Sequence, residues 1–176
     1  DMEADVCYGF AYDELGNPTT VKVGAQTLST NVYTLTGDKL LERVEYGNGG
    51  KVRYTRDDFK RVTGMRYDEE TADRYLYEFG ANGQVGRLRD MNLLRTISYG
   101  YDNANRLMRV RTDCEDGTAY RTELGYDTYN NLSSFKEWAD TRVYTTTYAY
   151  DNESRPTTVQ YGSASDKVAY TYDALS

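Results

Sequence analysis

The stretch Tyr99-Gly100-Tyr101-Asp102-Asn103-Ala104-Asn105-Arg106-Leu107-Met108-Arg109-Val110 recurs, with variations, from one end of the chain to the other. A period of 20–50 residues constrains a fold more than any composition does, because every copy must adopt one local structure. Tyr101 is taken as the anchor of this copy. Tyr12 and Tyr150 anchor close relatives, and weaker copies are anchored at Leu35, Arg56, Phe79, Tyr126 and Tyr172. Successive anchors lie 23, 21, 23, 22, 25, 24 and 22 residues apart. Two residues before each anchor stand Phe10, Tyr33, Tyr54, Tyr77, Tyr99, Leu124, Tyr148 and Tyr170. Apolar residues or prolines also recur six positions after the anchor (Leu41, Leu107, Leu132, Pro156) and nine after it (Val21, Val44, Val110, Val159).

Aromatic side chains at i and i+2 share one face of a strand. The polar runs that follow, Asp13 to Asn17, Asp102 to Arg106 and Asp151 to Arg155, carry turn chemistry, since Asp and Asn bond their own backbone and tolerate left-handed dihedrals. A second strand then begins, so one repeat is one β-hairpin. Asn48-Gly49-Gly50 and Asn82-Gly83 are further turn signals, and Gly24, Gly47 and Gly162 permit reversal into the next hairpin. No stretch has the apolar i, i+3, i+4, i+7 pattern of a helix; residues 69–76 come nearest and sit where the period demands a link and a strand.

The unit Tyr-x-Tyr-Asp-x-x-Gly/Asn-Arg-Leu-x-x-Val resembles the YD repeat of the Rhs (rearrangement-hotspot) family, the repeat that also builds the extracellular shell of teneurins. The copies at Tyr12, Tyr101, Tyr126 and Tyr150 match best, and Phe79-Gly80-Ala81-Asn82-Gly83-Gln84-Val85 resembles a common variant. The resemblance implies an all-β fold of tandem hairpins joined edge to edge into one long, twisted and curved antiparallel sheet, part of a spiral shell. It implies a non-catalytic wall segment, from a secreted or surface protein, that encloses or displays another polypeptide such as a toxin. Residues 1–176 read as a single array truncated at both ends, without the Asp-Pro-x-Gly-Leu-like core signature or toxin segment of complete members. The partners implied are neighbouring repeats and an enclosed toxin, and a sheet cut at its ends is expected to self-associate through its edges.

Composition narrows the chemistry. The 176 residues include 19 tyrosines and no histidine, with a net charge of -7. Without histidine there is no Ser-His-Asp or Cys-His nucleophilic site, nor the commonest zinc ligand. The acidic balance speaks against nucleic acid as a partner. The acidic N-terminus carries no apolar run, and no segment reads as membrane-inserting. Cys7 and Cys114 belong to distant repeats and read as free thiols. The carboxylates single out no acid–base pair, so no enzyme activity and no cofactor are expected. Asp13, Asp57, Asp102, Asp127, Asp151 and Asp173 each follow an anchor. They read as structural Asx turns in preference to calcium ligands, with no metal expected. The tyrosines read as cross-strand ladders; the alternative is a carbohydrate- or protein-binding surface on which rings stack against sugars.

Overall fold

The computed structural model of the chain describes residues 6–35, 37–139 and 141–173. Every regular element among them is a strand. In chain order these are β1 (Tyr8–Tyr12), β2 (Pro18–Val23), β3 (Gln26–Tyr33), β4 (Leu41–Tyr46), β5 (Lys51–Arg56), β6 (Val62–Tyr67), β7 (Tyr75–Phe79) and β8 (Val85–Asp90). They continue as β9 (Arg95–Tyr101), β10 (Leu107–Cys114), β11 (Ala119–Tyr126), β12 (Leu132–Ala139), β13 (Arg142–Tyr150), β14 (Pro156–Tyr161) and β15 (Lys167–Ala169). The order of strands in the sheet is their order in the chain, and the pairings from β1 to β7 and from β9 to β15 are antiparallel. The helix-like stretch 69–76 is a link followed by β7. Two compact units are distinguished: Asp1–Tyr77 with Asp90–Asn92, and Glu78–Arg89 with Leu93–Ser176.

Within both units the hairpin register explains the spacing of the apolar slots. Tyr12 pairs with Pro18 while Ala11 pairs with Thr20, so Thr19 is an extra residue, a β-bulge. The same shift follows Tyr33, Arg56, Tyr101, Tyr126 and Tyr150. Six and nine residues after an anchor are an odd number apart and would face opposite ways on a regular strand. The bulge restores them to one face, where Leu107 opposes Tyr101 and Val110 opposes Tyr99.

This sorts the side chains. One face carries the aromatic and aliphatic slots, for example Tyr8, Phe10, Val21 and Val23 of β1 and β2, and Tyr99, Val110, Leu124 and Phe135 of β9 to β12. The other carries Arg43, Arg53, Glu123 and Lys136 among small and polar residues. The apolar face is not sealed. Val52, between Val44 and Tyr67, is the only buried apolar side chain among the described residues, while Tyr8, Phe10 and Tyr12 are 57–60% exposed.

Links on the side opposite the anchor loops rely on glycine for space. A Cβ at Gly47 would collide with the backbone carbonyl oxygen of Thr27, and the Gly47 N–H bonds the Leu28 carbonyl. A Cβ at Gly64 would meet the Asp73 carboxylate, which lies over that glycine and accepts the Thr55 hydroxyl at 3.2 Å.

Candidate functional site

The candidate site is the repeat itself, built around the anchor, the aspartate after it and the residue four further on. In the loop 102–106, Asp102 Oδ1 accepts the N–H groups of Ala104 and Arg106, each at 2.9 Å. Its Oδ2 accepts Arg106 Nε at 2.7 Å. The backbone closes the loop, with Asp102 N–H donating to the Arg106 carbonyl and Asn105 N–H to that of Asp102. Asn105 sits at φ 62, the left-handed region that Asn tolerates. Asp13, Asp57, Asp127 and Asp151 repeat this pattern, with Oδ2 bonded to Asn17, Arg61, Asn131 and Arg155. Gly16, Lys60, Asn130 and Ser154 occupy the left-handed position. Asp173 precedes residues 174–176, so the loop it would close lies outside the described residues.

These bonds favour the ionised carboxylate. The Arg106 N–H groups hold Asp102 below its ordinary range, and the backbone N–H of Arg155 does so for Asp151. For Asp13 the main cause is the Asn17 side chain. For Asp57 and Asp127 desolvation pushes upward, but hydrogen bonds from Arg61 and Asn131 outweigh it. With both oxygens committed to their own loop, these aspartates act as internal ties.

The anchors reach backwards. The hydroxyls of Tyr101, Tyr126, Tyr150 and Tyr172 donate to the carbonyls of Val85, Leu107, Leu132 and Pro156 at 2.9, 2.8, 2.8 and 2.7 Å. Each acceptor is the first residue of the second strand in the preceding hairpin. Arg56, which has no hydroxyl, makes the same reach with its guanidinium, to the Leu41 carbonyl at 3.1 Å. Phe79, at the end of β7, has no donor for such a bond.

The second repeat departs from the sequence expectation. Leu35 lies outside any strand and is 89% exposed. The residue at the bulge is Tyr33, paired with Leu41, and its hydroxyl donates to the Pro18 carbonyl at 2.9 Å. The loop after Tyr33 is longer than its counterparts, so counting back six residues from Leu41 lands on the loop instead of the strand.

A second element escapes the sequence reading. Two of the arginines that these aspartates hold lie on the next anchor: Arg106 stacks over the Tyr126 ring at 4.4 Å and Arg155 over the Tyr172 ring at 4.6 Å. Successive loops are also bridged, by Arg106 to Asn130 at 2.8 Å and by Asn131 to Ser154 at 3.1 Å. The only signal in the sequence was the recurrence of Arg or Asn four residues after the aspartate. At these two junctions aspartate, arginine, tyrosine and carbonyl form one chain of contacts from one hairpin to the next.

Among the described residues no three His, Cys, Asp or Glu side chains form a group fit to hold a metal ion. Cys7 and Cys114 are free thiols. Among the described residues no helix is long and apolar enough to cross a membrane.

No family model matches the chain, and no curated protein does. Solved structures do. A crystal structure of TcdB2-TccC3 superposes with a TM-score of 0.68 at 16% identity, covering 93% of this chain and 11% of that one. TcdB2-TccC3 without its hypervariable C-terminal region gives 0.67 at 18% identity over 84% of this chain and 9% of that one. The Tc holotoxin pore of Photorhabdus luminescens gives 0.60 at 14% identity over 94% and 12%. The chain therefore spans about a tenth of the length of the structures it matches. The chain shares with these structures the tandem β-hairpin fold that its tyrosine–aspartate period implies.

Proposed function

We propose that the chain is a non-catalytic wall segment of a secreted Rhs/YD-repeat shell that, in a longer protein, encloses or displays another polypeptide such as a toxin. In this reading residues 1–176 act as one array, the anchors and loop aspartates are structural, and the sheet continues into a spiral on both sides. One observation carries it: from Tyr33 onward every described anchor except Phe79 ties its hairpin to the one before it by a bond to a carbonyl, while the apolar face holds a single fully buried apolar side chain among the described residues. A template that ties only neighbours suits a wall of indefinite length. An aromatic face that is only partly covered suits a surface completed by other parts of a larger body. The likeness to the Tc toxin structures supports the reading at the level of fold.

Limited proteolysis of the full-length parent tests it. An enclosed segment should resist protease in the native parent and become cleavable when Tyr126→Ala and Tyr150→Ala open the wall. If every segment outside the array is cut equally fast in the parent and in that double variant, the array encloses nothing.

A further inference from the structure

One feature of the polar face is not explained by the repeat. Arg43 of β4 stands directly opposite Arg53 of β5, and Arg53 directly opposite Arg66 of β6. Three arginines therefore lie in one row across three adjacent strands, all half-buried. Like charges in directly opposed positions repel and work against strand pairing. Elsewhere on this face several arginines are neutralised within the chain: Arg87 and Arg89 both reach Glu78, Arg111 pairs with Asp113, and Arg121 pairs with Glu123 while stacking on Trp138.

The row is neutralised only at Arg43. Arg43 is held by Glu45 at 2.8 Å, with Glu42 at 3.4 Å. Lys51, opposite Glu45, turns to Glu69 at 3.6 Å. Asp73 lies over Gly64 and is tied to Thr55. Arg53 and Arg66 make no ion pair or hydrogen bond with another described side chain; the field of Arg53 reaches Glu45, which Arg43 already occupies.

We infer that this row is a docking site for a short acidic polypeptide segment, whose carboxylates supply the charge that Arg53 and Arg66 lack. The guanidinium fork matches a carboxylate with two parallel hydrogen bonds. Strands lie about 4.8 Å apart, so the row spans roughly 10 Å. Carboxylates on alternate residues of an extended segment are about 7 Å apart on one side, within that span. A nucleic acid fits less well, because the chain's net charge of -7 repels a long polyphosphate while a segment with a few carboxylates meets mainly the local field.

The test uses fluorescence anisotropy of a labelled hexaglutamate peptide with the purified chain, at low and at physiological ionic strength. Binding should be seen at low salt and should weaken as salt rises. Arg53→Gln and Arg66→Gln should each weaken it by about fivefold, the scale of one partly exposed charge pair. Arg87→Gln, where Glu78 already holds the guanidinium, should change it less than about twofold. A thermal melt separates binding from folding: both row variants should melt at or above the parent, because they relieve a like-charge pair. Three results would overturn the inference. They are no binding to the parent at low salt, equal binding by the row variants, or a lower melting temperature in them, which would assign the arginines to the fold. A single-stranded oligonucleotide bound more tightly through the same arginines would overturn the carboxylate chemistry.

Discussion

Replacing Tyr126 by Phe deletes one oxygen and leaves the ring in place. The Leu107 carbonyl then loses a donor at 2.8 Å, while Arg106 keeps its seat on the ring at 4.4 Å. The anchor is half-buried, so the loss is that of an ordinary hydrogen bond, about 1 kcal/mol. Tyr126→Ala also removes the ring and the cation's seat. Complete burial would make that loss about 3–5 kcal/mol. At half-burial about 2–3 kcal/mol is expected, of which about 0.5–1 kcal/mol is the stacking. Because a repeat array is stabilised between neighbours, the effect should be local. Native-state hydrogen exchange read strand by strand is the assay. Amides of β10 and β11 should open about fivefold more often in Tyr126→Phe and well over tenfold more often in Tyr126→Ala. Those of β13 and β14 should change little. A cycle combining Tyr126→Ala with Arg106→Gln should return a coupling of about 0.5–1 kcal/mol. If the Phe and Ala variants cost the same, the ring carries nothing; if exchange rises uniformly, the bond does not tie hairpin to hairpin. Either result refutes the interlock.

Three further outcomes follow from the loops and links. Asp102 and Asp151 have folded-state pKa values below the reference 3.8, so their contribution is complete above 3.8 and is lost as pH falls through the folded values; amides of Ala104, Arg106, Glu153 and Arg155 should lose protection in that acidic window and keep it from there to neutrality. Gly47→Ala forces a methyl against the Thr27 carbonyl oxygen and should cost about 1–3 kcal/mol in a denaturant titration, whereas Gly9→Ala, with the nearest atom 4.0 Å from the added carbon, should be tolerated. Lys60 holds φ 68, a conformation costing a non-glycine residue about 1–2 kcal/mol, so Lys60→Gly should leave stability level or raise it by up to about 1 kcal/mol once the flexibility of glycine is subtracted; a clear loss would show that the Lys60–Asp38 ion pair outweighs the strain.

What the sequence determined by itself is local. Tyr99 and Tyr101 share a face because strand side chains alternate, and Asp102 starts a turn because its carboxylate reaches N–H groups two and four residues on. Such bonds form within one hairpin, so spacing alone reveals them. Tertiary structure decided what passes between hairpins. The partner of the Tyr126 hydroxyl is a carbonyl 19 residues earlier, and no residue type marks a carbonyl as an acceptor. The period alone placed an anchor at Arg56, but that its guanidinium makes the bond to the Leu41 carbonyl that a tyrosine makes elsewhere was decided by the fold. The bulge that brings Leu107 and Val110 to one face, and places Tyr33 instead of Leu35 at the second anchor, is fixed by pairing with the opposite strand. The opposition of Arg43, Arg53 and Arg66 has the same origin, because register between strands sets which charges meet and the sequence of one strand does not contain it.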